Sequence, residues 1–184
     1  MATKPSIRLT YEDYLDFPDG QRWELIDGEA YMVPSPNERH QTVVGELFRQ
    51  VANHVKDHGG GRVYVAPFDV VLDAGGDVFQ PDLVFIADED MGVLTEANVW
   101  GTPTWVIEVL SPSRPQRDRR LKLPRYERFG VPEYWIVDPG AETVEMYRLE
   151  HESYGAPTIV RPPGPASPVR PVSLAIDLQE VFHG

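Results

Sequence analysis

The sequence predicts an α/β domain built on a mixed β-sheet with helices packed against it. Three observations carry that expectation. Asp27-Gly28, a strong two-residue turn signal, separates Trp23–Ile26 from Glu29–Val33 and marks an antiparallel hairpin. Val43, Val44, Leu47, Phe48, Val51, Ala52 and Val55 recur at helical spacing and mark one long amphipathic helix. Apolar runs at Phe79–Ile86, Thr104–Leu110, Glu133–Val137 and Thr143–Leu149 read as strands, with a helical segment inserted among them.

The elements follow in order. Thr10 N-caps a short helix over Tyr11–Leu15. After the hairpin, Ser35-Pro36-Asn37-Glu38 has the S-x-x-E capping-box form with proline at the first helical position, and Gly59-Gly60-Gly61 ends the long helix. His40, four residues before Val44, faces the buried side of that helix near its start. Strands are expected over Arg62–Ala66 and Phe68–Leu72, with a break at Pro67 and a turn at Ala74–Asp77. Ala87–Pro103 reads as a surface loop with a short helix, and Ser113–Gly130 as a helix. Beyond Glu150 the chain is rich in proline, which predicts an extended arm or edge segment. Residues 1–184 are expected to form one domain, with 151–184 as its C-terminal arm.

Composition narrows the function classes. At 184 residues, 41% hydrophobic and 25% charged, the chain has the make-up of an ordinary globular protein. It has no cysteine, which excludes a disulfide framework and a zinc ribbon and fits a reducing cytoplasm. No apolar run approaches the roughly 20 residues of a membrane helix, and no apolar signal region follows Met1–Pro5. The expectation is a cytoplasmic protein with no membrane partner. A net charge of −12 argues against a broad nucleic-acid-binding surface. The charge is uneven, however: Arg114, Arg117, Arg119, Arg120, Lys122, Arg125 and Arg128 cluster between Pro112 and Gly130. Such a patch either receives a phosphate or pairs with acids elsewhere, and charge alone favours pairing.

Two carboxylates stand in apolar strands, Asp82 in Phe79–Ile86 and Glu108 in Thr104–Leu110. An ionised acid among such neighbours needs a cation or hydrogen bonds. Strand alternation puts Asp82 on the face of Val84 and Ile86, near a strand start. Glu108 shares its face with Val106 and Leu110, near a strand end. If the two strands are antiparallel neighbours, both carboxylates converge at one rim and one metal serves both. Asp118, Lys122, Tyr126 and Phe129 share a helical stripe, which turns Lys122 toward the sheet. Magnesium or manganese on the two acids, with Lys122 to position water or stabilise a developing phosphorane, describes a phosphodiesterase site.

Other residues have duller readings. Glu24 is a further ligand or supporting acid, or else an ion-pair partner of Arg22. His40 reads as a core or capping histidine ahead of a ligand. His54 and His58 complement a helix C-terminus. Asp69, Asp73 and Asp77 flank a turn and look solvated. Ser111 and Ser113 read as residues at a helix start, Glu133 and Asp138 as structural, and Trp23, Trp105 and Trp135 as packing.

Several blocks resemble one family: Glu24–Glu29, Pro81–Phe85, Val106–Ser113, Lys122-x-x-x-Tyr126 and, most specifically, the stretch from Glu108 to Pro139. They are similar to the Uma-two family, bacterial restriction endonucleases of the PD-(D/E)XK superfamily. The resemblance runs from about Thr10 to about Leu149. It implies a restriction-endonuclease-like fold, a mixed central sheet flanked by helices. It also implies a DNA substrate, Asp82 and Glu108 as the motif's acids, and Lys122 as a migrated lysine, because Leu110 stands two residues after Glu108. Arg119 and Arg120 would then contact DNA phosphates. Some nucleases of that superfamily carry a helix histidine, which would fall on His40 as a further ligand. Pro124 implies that the helix begins late, near Leu121, or kinks there. An inactive nuclease-fold binding module and a hydrolase of another phosphoester remain alternatives. The oligomeric state stays open, a homodimer included.

Overall fold

In the computed structural model the described residues are 7–18, 20–111 and 117–184. The hairpin forms where Asp27-Gly28 asks for it. Both residues have positive φ, 55° and 77°, as a turn matching the strand twist requires. It joins β1 (Arg22–Ile26) to β2 (Glu29–Val33), with Ile26 opposite Glu29. Helix α1 (Tyr11–Leu15) carries the Thr10 cap and a capping box closed by Asp13.

Helix α2 spans Glu38–His58 and buries Val43, Val44, Leu47 and Val51. It starts two residues later than the Ser35 capping box predicts. Asn37 is the N-cap, its side chain accepting the His40 N–H at 2.9 Å. Asparagine caps as well as serine, and this register puts Glu38 in the first turn, at the positive end of the helix dipole. The expected stop holds at Gly59, with φ of 72°.

The main sheet contains β3 (Gly61–Val65), β6 (Leu83–Ala87), β8 (Trp105–Val109), β9 (Glu133–Asp138), β10 (Thr143–Glu150) and β11 (Ser153–Tyr154), in the order β11-β10-β9-β8-β6-β3. β12 (Thr158–Val160) also pairs with β10. Only β8 and β9 run parallel, so the sheet is mixed. A second sheet has the order β2-β1-β5-β4-β7, where β4 is Val70–Asp73, β5 Asp77–Phe79 and β7 Val99–Trp100.

The run Phe79–Ile86 is therefore two strands in two sheets. Pro81 has no N–H to give a ladder, and the chain crosses between sheets at Gln80-Pro81-Asp82. Side chains take over where the ladder stops. The Gln80 N–H donates to Glu24 Oε1 at 2.9 Å, and Asp82 Oδ2 accepts the Val109 N–H at 2.8 Å.

Alternation along β6, β8 and β9 divides the core. Leu83, Phe85, Trp105, Ile107, Val109 and Trp135 face α2. Val84, Ile86, Val106, Tyr134 and Ile136 face the opposite layer, with Tyr126 and Phe79. Both faces are covered, so these strands are apolar throughout. After Glu150 the chain adds β13 (Pro165–Ala166), β14 (Ile176–Asp177) and a helix over Leu178–His183. Val181 and Phe182 of that helix join the α2 core.

The helix expected over Ser113–Gly130 is described from Arg117 onward; Ser113 and Arg114 lie outside the described residues. It runs as a π-helical turn, Asp118–Lys122, followed by an α-helix, Leu123–Arg128. The Leu123 N–H donates to the Asp118 carbonyl, five residues back. Pro124 has no N–H and its ring would crowd the preceding turn of a regular helix; the widened turn gives it room. So the helix neither starts near Leu121 nor merely kinks. Asp77, expected in solvent, is fully buried, where Arg125 pairs with it and the Asp27 N–H donates to it at 3.0 Å.

Candidate active site

The two strand acids meet at one rim. β6 and β8 are antiparallel with Leu83 opposite Ile107, so the same register brings Asp82 opposite Glu108. Glu108 turns to the Val84–Val106 face, where Tyr126 meets it, and Asp82 turns its Oδ2 to the Val109 N–H and His40. Asp82 sits just before β6, in the crossover, and Glu108 lies within β8.

Lys122 reaches the same rim from the π turn. Its Nζ is 2.8 Å from Glu108 Oε1, 2.9 Å from Glu24 Oε1 and 3.5 Å from Asp118 Oδ1. Only 4% of the residue is exposed. Burial opposes its charge, but Glu108, Glu24 and Asp118 outweigh it and raise the pKa, so the ammonium persists. Burial pushes the Glu108 carboxyl well above its usual range. Lys122 pulls the other way, while Asp118, Glu24 and Asp82 add to the rise. Asp118 is raised for the same reasons, burial first.

Each acid has its own supports. Glu108 Oε1 also accepts from the Tyr126 hydroxyl at 3.0 Å. Glu24 receives Arg117 on its other oxygen. His40 Nε2 lies 3.2 Å from Asp82 Oδ2. Burial disfavours the imidazolium there, yet the hydrogen bond and charge of Asp82 prevail, and the His40 pKa rises. Among the described residues nothing donates to Asp82 Oδ1 or Glu108 Oε2. Each acid thus keeps one oxygen that no described residue claims. Both line a cleft of about 60 Å³, with Arg22, His40, Gln80, Arg117, Asp118 and Lys122 around them.

Sequence similarity can be set beside this geometry. A family model named Uma2 and described as "Putative restriction endonuclease" matches residues 11–179. The chain belongs to the Uma2 family. One solved structure similar to this Uma2 chain, from Anabaena variabilis ATCC 29413, is described as "a putative nuclease belonging to DUF820". It superposes with a TM-score of 0.78 at 20% identity, covering 95% of this chain and 97% of that one. The two share a fold, a nuclease fold with a mixed central sheet. No curated protein matches the sequence.

Of the residues singled out in the Uma2 sequence, Asp82, Glu108, Lys122, Glu24 and His40 come together. Glu24 is fully buried and pairs with Lys122 and Arg117, while Arg22 bonds Gln80 instead. Arg119 turns away from the cleft and pairs with Glu145 on β10; Arg120 is exposed. Asp118, Arg117 and the Tyr126 hydroxyl were not read as site groups. The i,i+4 spacing of Asp118, Lys122 and Tyr126 was the available signal for two of them.

No helix among the described residues is long and apolar enough to cross a membrane.

Proposed function

We propose that this chain is a cytoplasmic PD-(D/E)XK endonuclease that hydrolyses DNA phosphodiester bonds with Mg²⁺ or Mn²⁺. The observation that carries the reading is the convergence of Asp82, Glu108 and the Lys122 ammonium at one buried rim. Family membership supports nuclease chemistry.

The donor set fits a hard cation. Asp82 and Glu108 would hold it through their unclaimed oxygens, and magnesium keeps several waters beside one or two carboxylates. The cation would supply a water of lowered pKa and polarise the phosphoryl oxygen.

The protein's own groups do the rest. The Glu108 and Glu24 carboxylates anchor Lys122, whose ammonium lines the cleft and would meet charge developing on phosphate. The Tyr126 hydroxyl fixes Glu108, and His40 fixes Asp82. Arg22 and Arg117 line the cleft wall as phosphate contacts. Arg120 is an outer contact, and Arg119 reaches phosphate only by releasing Glu145.

One observation favours a second reading, an inactive binding module. Lys122 and Arg117 already compensate the buried acids as an internal ion-pair cluster. Calorimetric Mg²⁺ and Mn²⁺ titration followed by a DNA cleavage assay separates the two. The nuclease binds metal and cleaves, and loses both in Asp82→Asn and Glu108→Gln. Metal affinity unchanged in both variants, or no cleavage of single- or double-stranded DNA, rejects it. Parallel RNA and small phosphodiester substrates test the other phosphoester class, which the −12 charge keeps in view.

A further inference from the structure

Among the cations that line the cleft, Arg22 stands apart. Lys122 and Arg117 are matched by buried carboxylates, whereas Arg22 makes no ion pair among the described residues. Its Nε donates to Gln80 Oε1 at 3.0 Å and its Nη2 to the Gln80 carbonyl oxygen at 3.1 Å. That amide is fixed from behind. Gln80 Nε2 donates to Asp69 Oδ1 at 2.8 Å and to the Tyr14 hydroxyl at 3.1 Å, and the hydroxyl donates in turn to Asp69 Oδ1 at 2.9 Å. A carboxylate only accepts and a guanidinium only donates, so the amide fits one way round. Gln80 thus clamps one edge of the guanidinium and stands between it and the Asp69 charge. The other edge, Nη1 with the second Nη2 hydrogen, has no acceptor among the described residues. Two parallel N–H groups of that kind match two oxygens of a phosphate. The Arg22 charge is felt at His40, where it disfavours the imidazolium.

We propose that Arg22 and Gln80 form a receptor for one phosphate group that works without metal, with Arg22 as the binding residue and Gln80 as the positioning residue that aims it. The nuclease reading supplies only the identity of the ligand, a phosphodiester of DNA. The receptor itself rests on the chain of hydrogen bonds from Arg22 through Gln80 to Asp69 and Tyr14. A guanidinium already held along one edge has less freedom to lose when an anion arrives.

The test titrates inorganic phosphate and, separately, a short DNA duplex into the full chain in EDTA by calorimetry. Wild type is compared with Arg22→Gln, Gln80→Met, the double variant and Arg62→Gln, an exposed arginine on β3. Both ligands should bind wild type and Arg62→Gln alike. Affinity should fall on the order of tenfold or more in Arg22→Gln and severalfold in Gln80→Met. The double variant should bind no more weakly than Arg22→Gln, because Gln80 acts only through the arginine. A further loss in the double variant overturns the positioning role. Wild-type affinity in Arg22→Gln, or no binding of either ligand, overturns the receptor, and phosphate binding without duplex binding overturns DNA as its ligand. Tyr14→Phe removes one hydrogen bond behind the amide and should weaken binding in the same direction, which keeps the test decisive if Gln80→Met melts early. A chain that shows this pattern but cleaves no DNA retains the receptor and loses the nuclease reading; cleavage without the pattern does the reverse.

Discussion

Lys122 has a heavier duty than its place in the sequence announces. Its ammonium touches three buried acids, Glu108, Glu24 and Asp118. Lys122→Ala removes the shared cation and leaves like charges packed together, so it should cost about 3–5 kcal/mol of stability as well as cleavage. Urea unfolding reads the first and single-turnover assays the second. Mg²⁺ should recover more stability in this variant than in wild type. A loss under about 1 kcal/mol would mean that the acids are otherwise compensated. Glu133 offers a separate check by pH. Burial raises its carboxyl above the ordinary 4.5, against hydrogen bonds from Val169, Trp135 and Arg148. The unfolded chain therefore releases this proton first. Stability from Glu133 is full below the ordinary value and is lost as pH rises toward the folded one. Measured by thermal melts, wild type should lose stability relative to Glu133→Gln across that rise; a pH-independent difference would refute the assignment. At this scale, strand parity made the Asp82–Glu108 pairing legible. The burial of Glu24 was not, since a hairpin strand shows one face to whichever layer covers it, and the covering layer is 98 residues away at Lys122.

The π turn at Asp118–Lys122 is the element on which the lysine's aim depends. Pro124 sits two residues past the end of the turn, and without it the backbone can return to regular spacing. A one-residue change of phase rotates a side chain by about 100°. Pro124→Ala should therefore keep or raise stability while lowering turnover severalfold, with metal affinity unchanged. A melting curve, calorimetry and a cleavage assay on one preparation decide it, and wild-type turnover would show that the proline does not aim Lys122. A proline in a helical pattern announces an irregularity but not its kind, because a late start, a kink and a widened turn all satisfy its missing N–H. The same limit applies to Phe79–Ile86. Its apolar run was readable, but whether Pro81 ends a strand or passes the chain to another sheet depends on β1 receiving β5. The Asp27-Gly28 hairpin and the α2 stripe needed no such outside partner, and both formed where local chemistry placed them.

Over the whole molecule, the cleft is a meeting point. Glu24 comes from the smaller sheet, Glu108 from the larger, Asp82 from the crossover, His40 from α2 and Lys122 from the basic helix. A cation held there ties these parts together, so Mg²⁺ at about 100 times its Kd should add about 2.7 kcal/mol to unfolding. The proposed arginine contacts to phosphate at the cleft and its rim, Arg22, Arg117 and Arg120, are few among the described residues and stand beside an acidic body with charge −12. DNA binding should therefore fall with salt along a shallow slope, about −0.9 for each phosphate neutralised. A slope implying more than a handful of contacts would require a basic surface outside the described residues.

The lysine at the centre of the acids gives the protein a resident counter-ion. Sites that rely on a bound cation to hold their carboxylates together fall apart in a chelator. This one carries its replacement covalently, in the Lys122 side chain. On the proposed metal-dependent reading, chain synthesis and folding would precede metal loading, and the metal-free protein would be a stored, intact form. Circular dichroism in EDTA should show a folded chain with a cooperative melt, and readdition of Mg²⁺ should restore cleavage without a refolding lag.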